Sequence, residues 1–318
     1  MPAQTTNGKA FEAAVAGALQ SRFAELNKSA EIDIDSVYGF ADSCLAAIER
    51  ANPSAHLAFL EAASAAARQF ILFEPRFLEA DGALRISLQT DSAGQLGDVR
   101  DVVVSGSYNG RPHRVGISCK NNHSDLKHQR ISASIDIGHD WFGSRSSPYY
   151  MAEAGKIFAE ILAKKTAGIS TWAELGPLKN SYYSRAIHLL AHELKLQLAK
   201  PDGPARFITY LIGNHDFYKF IKLDQRSYVM IQAFNLHGTL GKPAAKLAPP
   251  INIARVPTAT SLMKITANEP TNLAICLEGG WQIKLRVHNA SSKIEPSLKL
   301  SSSAIGSPAE LFTIYPSY

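Results

Sequence analysis

The stretch Asp101-Val102-Val103-Val104-Ser105-Gly106-Ser107-Tyr108-Asn109-Gly110-Arg111-Pro112-His113-Arg114-Val115-Gly116-Ile117-Ser118-Cys119-Lys120 decides the reading of this chain. Two extended, β-branched runs flank Asn109-Gly110, a pair suited to positive φ at both central positions of a two-residue turn, and so predict a β-hairpin. With that loop Tyr108 faces Arg111, and pairing outward sets Asp101 opposite Ser118. Strand side chains alternate faces, which puts Ser118 and Lys120 on one face and turns Ile117 and Cys119 into the core. One face thus gathers Asp101, Ser118 and Lys120, unless Pro112 shifts the register by a residue.

An acid on one strand with a lysine near the end of its neighbour meets the needs of metal-dependent phosphodiester hydrolysis. The carboxylate holds a hard cation, and the ammonium orients and acidifies the attacking water. The acid–spacer–lysine pattern recurs by chance, and the bland readings are a turn cap for Asp101 and a solvated edge-strand residue for Lys120.

Outward from the hairpin, the amino-terminal quarter is helical. Phe11, Val15, Ala18, Leu19 and Phe23 recur at helical spacing from Gly8 to about Leu26, with Asn7 as the expected N-cap. A second helical stretch runs from Ser36 to Arg68, broken at Asn52-Pro53, where proline suits the first turn of a new helix. Strand character appears over Leu84 to Thr90. Beyond the hairpin, helices are expected from Ser147 to Lys165 and from Asn180 to Leu198. Strands are then expected at Phe207–Ile212, Ser227–Phe234 and Asn272–His288, with a Pro-rich connection through Pro249-Pro250. This order predicts a mixed α/β protein whose central sheet includes the hairpin. The expected division is a helical and catalytic part over 1–205 and a β-rich part over 206–318, or one continuous domain.

At 318 residues, with 46% hydrophobic and 19% charged residues, the chain can bury a sizeable core, and extended disorder is excluded. The formal charge of +5 suits a polyanionic partner. Cys44, Cys119 and Cys276 are far apart and form neither a disulfide framework nor a zinc ribbon, which fits a reducing cytoplasm. No run is long and apolar enough for a membrane span, and Met1–Gly8 lacks a signal-peptide core. His188 and His192 stand four apart, but Leu189-Leu190-Ala191 leaves no base between them, so they read as ordinary helix histidines.

Several blocks carry a wider resemblance. Gly97-Asp98-Val99-Arg100-Asp101-Val102, Gly116-Ile117-Ser118-Cys119-Lys120-Asn121-Asn122-His123 and Lys127-His128-Gln129-Arg130-Ile131-Ser132 resemble the catalytic block of the HaeIII-type restriction endonucleases, members of the PD-(D/E)xK nuclease superfamily. The likeness continues in Ile135-Asp136-Ile137-Gly138 with Trp141, in Leu211-Ile212-Gly213 with Asp216-Phe217-Tyr218-Lys219, in Gly280-Trp281-Gln282, in Arg286-Val287-His288-Asn289-Ala290 and in Glu295-Pro296-Ser297-Leu298-Lys299. It spans most of the chain after residue 8.

The resemblance implies a restriction-endonuclease-like fold and Mg²⁺-dependent cleavage of double-stranded DNA at a short palindromic site such as GGCC, leaving 5′-phosphates. It also implies a homodimer and a cognate DNA methyltransferase as functional partner. Asp101 and Lys120 take the catalytic roles. Ser118 departs from the superfamily pattern, which places an acid there, so another carboxylate is needed. Glu12, in Gly8-Lys9-Ala10-Phe11-Glu12, matches a position where such nucleases bring in a metal-binding acid; Asp98 and Asp125 follow, and the Cys119 carbonyl is a further oxygen ligand.

DNA contacts are expected from Asn121, Asn122, His123, Lys127, His128 and Arg130 beyond the catalytic strand, and from Tyr218 and Lys219 in a loop. Gln282, Lys284, Arg286 and His288 share one face of a predicted strand followed by Asn289, and their amide and guanidinium groups suit base edges in a major groove. Two other readings stay open: a repair or modification-dependent nuclease of the same fold, and a DNA-binding protein that has lost cleavage.

Overall fold

A computed structural model describes residues 3–90, 97–224, 226–241, 251–267 and 269–318. Pro249-Pro250 lies outside them. The chain forms two compact units, each built on its own sheet. Unit 1 comprises residues 1–124, 213–254 and 310–318; unit 2 comprises residues 125–212 and 255–309. The units are interleaved along the chain.

Unit 1 opens with helix α1 (Ala3–Glu25), strand β1 (Ala30–Ile32), and helices α2 (Ser36–Ala51) and α3 (Pro53–Phe73). Asn7 lies within α1 and is not its cap. The Asn52-Pro53 break is as expected: the Asn52 side chain accepts from the Ala55 N–H at 3.1 Å, and Pro53 supplies the first turn. Strands β2 (Asp81–Leu88), β3 (Val102–Tyr108) and β4 (Arg111–Asn121) follow; β6 (Phe217–Lys222), β7 (Val229–Phe234) and β12 (Thr313–Ile314) complete a seven-stranded mixed sheet in the order β1-β2-β3-β4-β6-β7-β12. β4 runs parallel to β6 and antiparallel to β3, so the β3–β4 hairpin sits at the centre of the sheet. Its inward face, with Val102, Val104, Ile117, Tyr218 and Phe220, is buried with Phe11, Val15, Leu19, Phe59 and Phe70 of the helices. Burial of each such side chain contributes about 1.5–3 kcal/mol. This core fixes α1 against β4.

Unit 2 contains strand β5 (Asp125–Ser132), helices α4 (Ile137–Phe142), α5 (Pro148–Thr166), α6 (Pro177–Leu198) and α7 (Gly203–Ile212), and strands β8 (Thr260–Thr266), β9 (Glu269–Leu277), β10 (Gln282–His288) and β11 (Ser297–Gly306). These strands form a five-stranded antiparallel sheet in the order β5-β11-β10-β9-β8. Leu273, Ile275, Ile283, Leu285, Val287, Leu298 and Leu300 are buried, and α6 packs on β8, β9 and β10.

Two sequence expectations are corrected here. Phe207–Ile212 is part of α7, not a strand: Phe207, Ile208, Leu211 and Ile212 form one buried helical stripe, and its β-forming composition is overridden by that packing. The run Asn272–His288 is two strands, β9 and β10, separated by a short 3₁₀ turn in which Gly279 and Gly280 take positive φ. The remaining architecture is mixed α/β with a restriction-endonuclease-like central sheet flanked by helices and a strand-rich carboxy-terminal part.

Candidate active site and nucleic-acid interface

The β3–β4 hairpin closes as the sequence predicts. Asn109 and Gly110 have φ of 52° and 70°, Tyr108 pairs with Arg111, and Pro112 sits in register opposite Ser107. The ladder runs without a shift to Val102 opposite Ile117, and the Asp101 N–H donates to the Ile117 carbonyl at 2.8 Å. Asp101 therefore stands at the mouth of the hairpin, opposite Ser118.

Three donors converge on one carboxylate oxygen of Asp101. Oδ2 accepts from Ser118 Oγ at 3.1 Å, from the Cys119 N–H at 2.7 Å and from Lys120 Nζ at 3.0 Å. Among the described residues Oδ1 takes no hydrogen bond, which leaves it for a cation. The Cys119 N–H points to this edge of β4, and the N–H and C=O of one strand residue face the same edge, so its carbonyl points there too. Burial, then Asp101 and Glu12, push the Cys119 thiol well above its usual range; the backbone carbonyl is the ligand-like group of this residue. At Lys120 burial opposes the charged form, but the Asp101 carboxylate outweighs it and the ammonium pKa is raised. Lys120 is a stable cation here.

Glu12 projects from α1 and is only 5% exposed. Lys9 Nζ lies 3.1 Å from its Oε2. Burial, then the negative charge of Asp101, push the Glu12 carboxyl up to about 8, against the opposing influence of Lys9 and Lys120. Burial is the larger cause and Asp101 the second, so the two carboxyls lie close enough to interact, each with one ammonium beside it. Their oxygens are a donor set suited to a hard divalent cation. Lys9 was missed as a site residue, although its three-residue spacing from Glu12 on a helix was the signal.

Asp98 is differently placed. Arg100 Nε and Nη2 donate to its two oxygens, each at 2.7 Å. Burial resists charge on Asp98, but the Arg100 bonds hold its pKa below the usual carboxylate range. Both oxygens are engaged by the guanidinium. The stem of Arg100 lies over Gly116, where an added Cβ would come within 1.9 Å of Arg100 Cδ.

Around this centre, Asn121 is buried and Asn122 adopts φ of 61° in the turn after β4, with its side chain bonded to Asp224. His123 follows in the same turn. Tyr218 and Lys219 lie in β6 and not in a loop. Tyr218 is fully buried and donates its hydroxyl to Glu74 Oε1 at 2.7 Å. Lys219, 1% exposed, is in register with Ser118 and donates to the Ser124 carbonyl at 2.6 Å.

In unit 2 the sheet carries a polar outer face. β5 places His128 and Arg130 there, both exposed, beside Ser301 and Lys299 of β11; these pair in turn with Arg286 and His288 of β10, and Gln282 is exposed at the start of the same strand. Ser301 Oγ lies between two imidazoles, 3.2 Å from His128 Nδ1 and 2.9 Å from His288 Nε2. Arg130 bonds Glu295 at 2.8 Å and Ser297 at 2.9 Å. Asp125 belongs to this sheet too, with His128 Nε2 at 3.6 Å from its Oδ2. Lys127 points the other way: its ammonium sits 3.9 Å from the Tyr210 ring centroid and burial lowers its pKa. Asn289 accepts from the Tyr183 hydroxyl at 2.9 Å and so ties the strand end to α6. Lys299 was missed; the alternation of Leu298 and Leu300 with Lys299 and Ser301 was its signal. His188 and His192 are both exposed on α6, as expected.

Comparison with known proteins gives the family of the chain. The sequence profile described as HaeIII restriction endonuclease matches residues 8–308. The chain is 33% identical to the type II restriction enzyme HaeIII of Haemophilus aegyptius over 315 residues, covering 97% of this chain and 96% of that protein. No solved structure matches it. No helix among the described residues is long and apolar enough to cross a membrane. With a family match over nearly its whole length, the chain belongs to the HaeIII restriction endonuclease family of type II site-specific deoxyribonucleases.

Proposed function

We propose that this enzyme hydrolyses both strands of double-stranded DNA at a short palindromic site, GGCC being the first candidate, in a Mg²⁺-dependent reaction that leaves 5′-phosphates. The observation that carries the chemistry is the convergence of Ser118, the Cys119 N–H and Lys120 on Asp101 Oδ2, with Glu12 within electrostatic reach.

In this reading Asp101 through Oδ1, Glu12 and the Cys119 carbonyl hold the metal, and Ser118 serves only to orient Asp101. Mg²⁺ bound there supplies positive charge to the scissile phosphate and to the attacking water. Lys120 orients that water by hydrogen bonding, and Lys9 holds the Glu12 carboxylate in place. Asp98, held by Arg100, shapes the segment leading into Asp101 and is a reserve ligand at most.

The outer face of the five-stranded sheet, with His128, Arg130, Gln282, Arg286 and His288, is our candidate for DNA contact, together with Asn122 and His123 in the turn after the catalytic strand. Arginine and glutamine there suit guanine and adenine edges, and lysine suits phosphates. Tyr218, Lys219, Lys127, Asn121 and Asn289 support the strands and turns that carry these contacts. Such an enzyme shares the cytoplasm with host DNA and needs a methyltransferase that modifies the same sequence. A palindromic target favours a homodimer.

The test is incubation of the purified protein with unmethylated phage DNA, with Mg²⁺ or with chelator. Discrete metal-dependent fragments whose ends share one sequence are expected. Ser118, where the superfamily has an acid, favours a second reading of DNA binding without cleavage; tight binding with no fragments under any divalent metal would establish it.

A further inference from the structure

The outer face of α3 is self-complementary about a two-fold axis. Leu57, Glu61, Ser64, Arg68 and Leu72 follow one another at three- and four-residue spacing and form a single stripe along the helix. The opposite side of the helix, with Phe59, Ala62, Ala66 and Phe70, is buried in the core of unit 1. The stripe itself faces solvent: Leu57 is 54% exposed and Leu72 58% exposed, and Glu61 and Arg68 are exposed between them.

The order of these residues is symmetric about the midpoint between Ser64 and Ala65. Leu57 lies seven residues before Ser64 and Leu72 seven after Ala65, while Glu61 lies three before and Arg68 three after. Two copies of α3 crossing antiparallel at that midpoint therefore set each Leu57 against Leu72 of the partner subunit, and each Glu61 against Arg68 of the partner subunit. Every contact occurs twice, which is the defining property of an isologous interface.

The local chemistry agrees with that pairing. Within one helix Glu61 and Arg68 are two turns apart, roughly 10 Å along the axis, too far to pair with each other. Arg68 Nη1 instead donates to Ser64 Oγ at 3.0 Å, which holds the guanidinium near the middle of the stripe. Ala65 at the centre is buried within the chain's own core, so the contact would be carried by the exposed residues on either side of it. Exposed apolar ends and a complementary charge pair argue for a second copy of this chain as the occupant.

We propose that this face of α3 is the contact through which two copies of the chain associate, so that two active sites address the two strands of one duplex; that purpose rests on the nuclease reading above, whereas the pairing does not. A contact centred on one helix some 30 Å long falls at the small end of protein interfaces, so a dimer with a dissociation constant in the micromolar range is expected.

Sedimentation velocity over about 1–100 µM protein tests it, using the full chain, Glu61→Arg, Arg68→Glu and the double variant Glu61→Arg/Arg68→Glu. Each single reversal sets like charges face to face twice and is expected to weaken the dimer by about tenfold or more, and the double variant to restore it. Circular dichroism of the four proteins verifies folding, and the restored double variant is its own control. A wild type that stays monomeric across the range, or a dimer indifferent to the single reversals, overturns the proposal. DNA cleavage assayed in parallel separates the two ideas: a monomer that cuts refutes this interface and leaves the nuclease reading standing, whereas a charge-sensitive dimer that does not cut does the reverse.

Discussion

Lys120 Nζ lies 3.0 Å from Asp101 Oδ2 across the mouth of one hairpin, with the Cys119 N–H donating to the same oxygen at 2.7 Å. A lysine held this way keeps its charge, because the carboxylate outweighs the cost of burial. If Lys120 orients the water as proposed, Lys120→Ala removes that cation but leaves the carboxylate oxygens, so cleavage is expected to fall by about 10²–10⁴ while DNA binding is retained. Asp101→Ala removes the proposed metal ligand and should abolish cleavage at any Mg²⁺ concentration. Single-turnover rates and gel-shift affinities for both variants check this pair; a Lys120→Ala enzyme cutting at the wild-type rate would refute the assignment.

Glu12 makes metal-free stability depend on pH. Its carboxyl, ordinarily at 4.5, is pushed up to about 8 by burial and by Asp101. Between those values the folded protein holds a proton that the unfolded chain has lost, so stability is greatest below about 4.5 and declines as pH rises through about 8. Glu12→Gln carries no titrating group and should lack this part of the decline. Thermal melts in chelator from pH 5 to pH 9, on the order of one melt per half unit, compare the two slopes. Mg²⁺ should raise the wild-type melting temperature most near the alkaline end, where the proton has already left, and raise that of Glu12→Gln far less. Equal slopes in the two proteins would remove Glu12 from the site.

The hairpin was legible because its turn chemistry and face alternation are local: Asn109-Gly110 sets the register, and the register sets Asp101 opposite Ser118. The approach of Glu12 was not legible from spacing, since it depends on how α1 packs on β4 across a hundred residues of chain; only the family resemblance pointed there. Phe207–Ile212 misread as a strand for a related reason. Its aromatic and β-branched residues suit either state, and tertiary packing of one helical stripe decided between them. Tyr218 was expected at a surface and is buried, because a tyrosine whose hydroxyl finds Glu74 is as well placed inside as out.

Gly116 should tolerate no side chain. An added Cβ would meet Arg100 Cδ at 1.9 Å and Cγ at 2.4 Å, and Arg100 cannot move aside without releasing Asp98. Gly116→Ala is expected to cost about 1–3 kcal/mol in chemical denaturation and to slow cleavage as the segment leading into Asp101 shifts. Combining it with Arg100→Ala removes the clash, so the double variant should lose less stability than the two single changes summed. Simple additivity would mean that Arg100 and Gly116 do not meet in solution.

The outer face of the five-stranded sheet gives the last prediction. Arg286 on β10 pairs in register with Ser301 on β11, which pairs with His128 on β5; two residues along on the same face, Lys299 stands between His288 and Arg130. On the proposed reading this row of basic and polar side chains supplies both kinds of contact a specific DNA-binding surface needs. A lysine contact to phosphate is sequence-blind, so Lys299→Ala should weaken all duplexes alike and reduce the slope of log affinity against log salt by about 0.9. A guanidinium on a base edge is sequence-dependent, so Arg286→Ala should lose about 1–3 kcal/mol of preference for the cognate duplex and leave non-cognate binding nearly unchanged. Salt titrations with cognate and scrambled duplexes measure both quantities. Equal losses on the two duplexes for Arg286→Ala would reduce it to a phosphate contact, and no loss for either variant would move the DNA to another face of the protein.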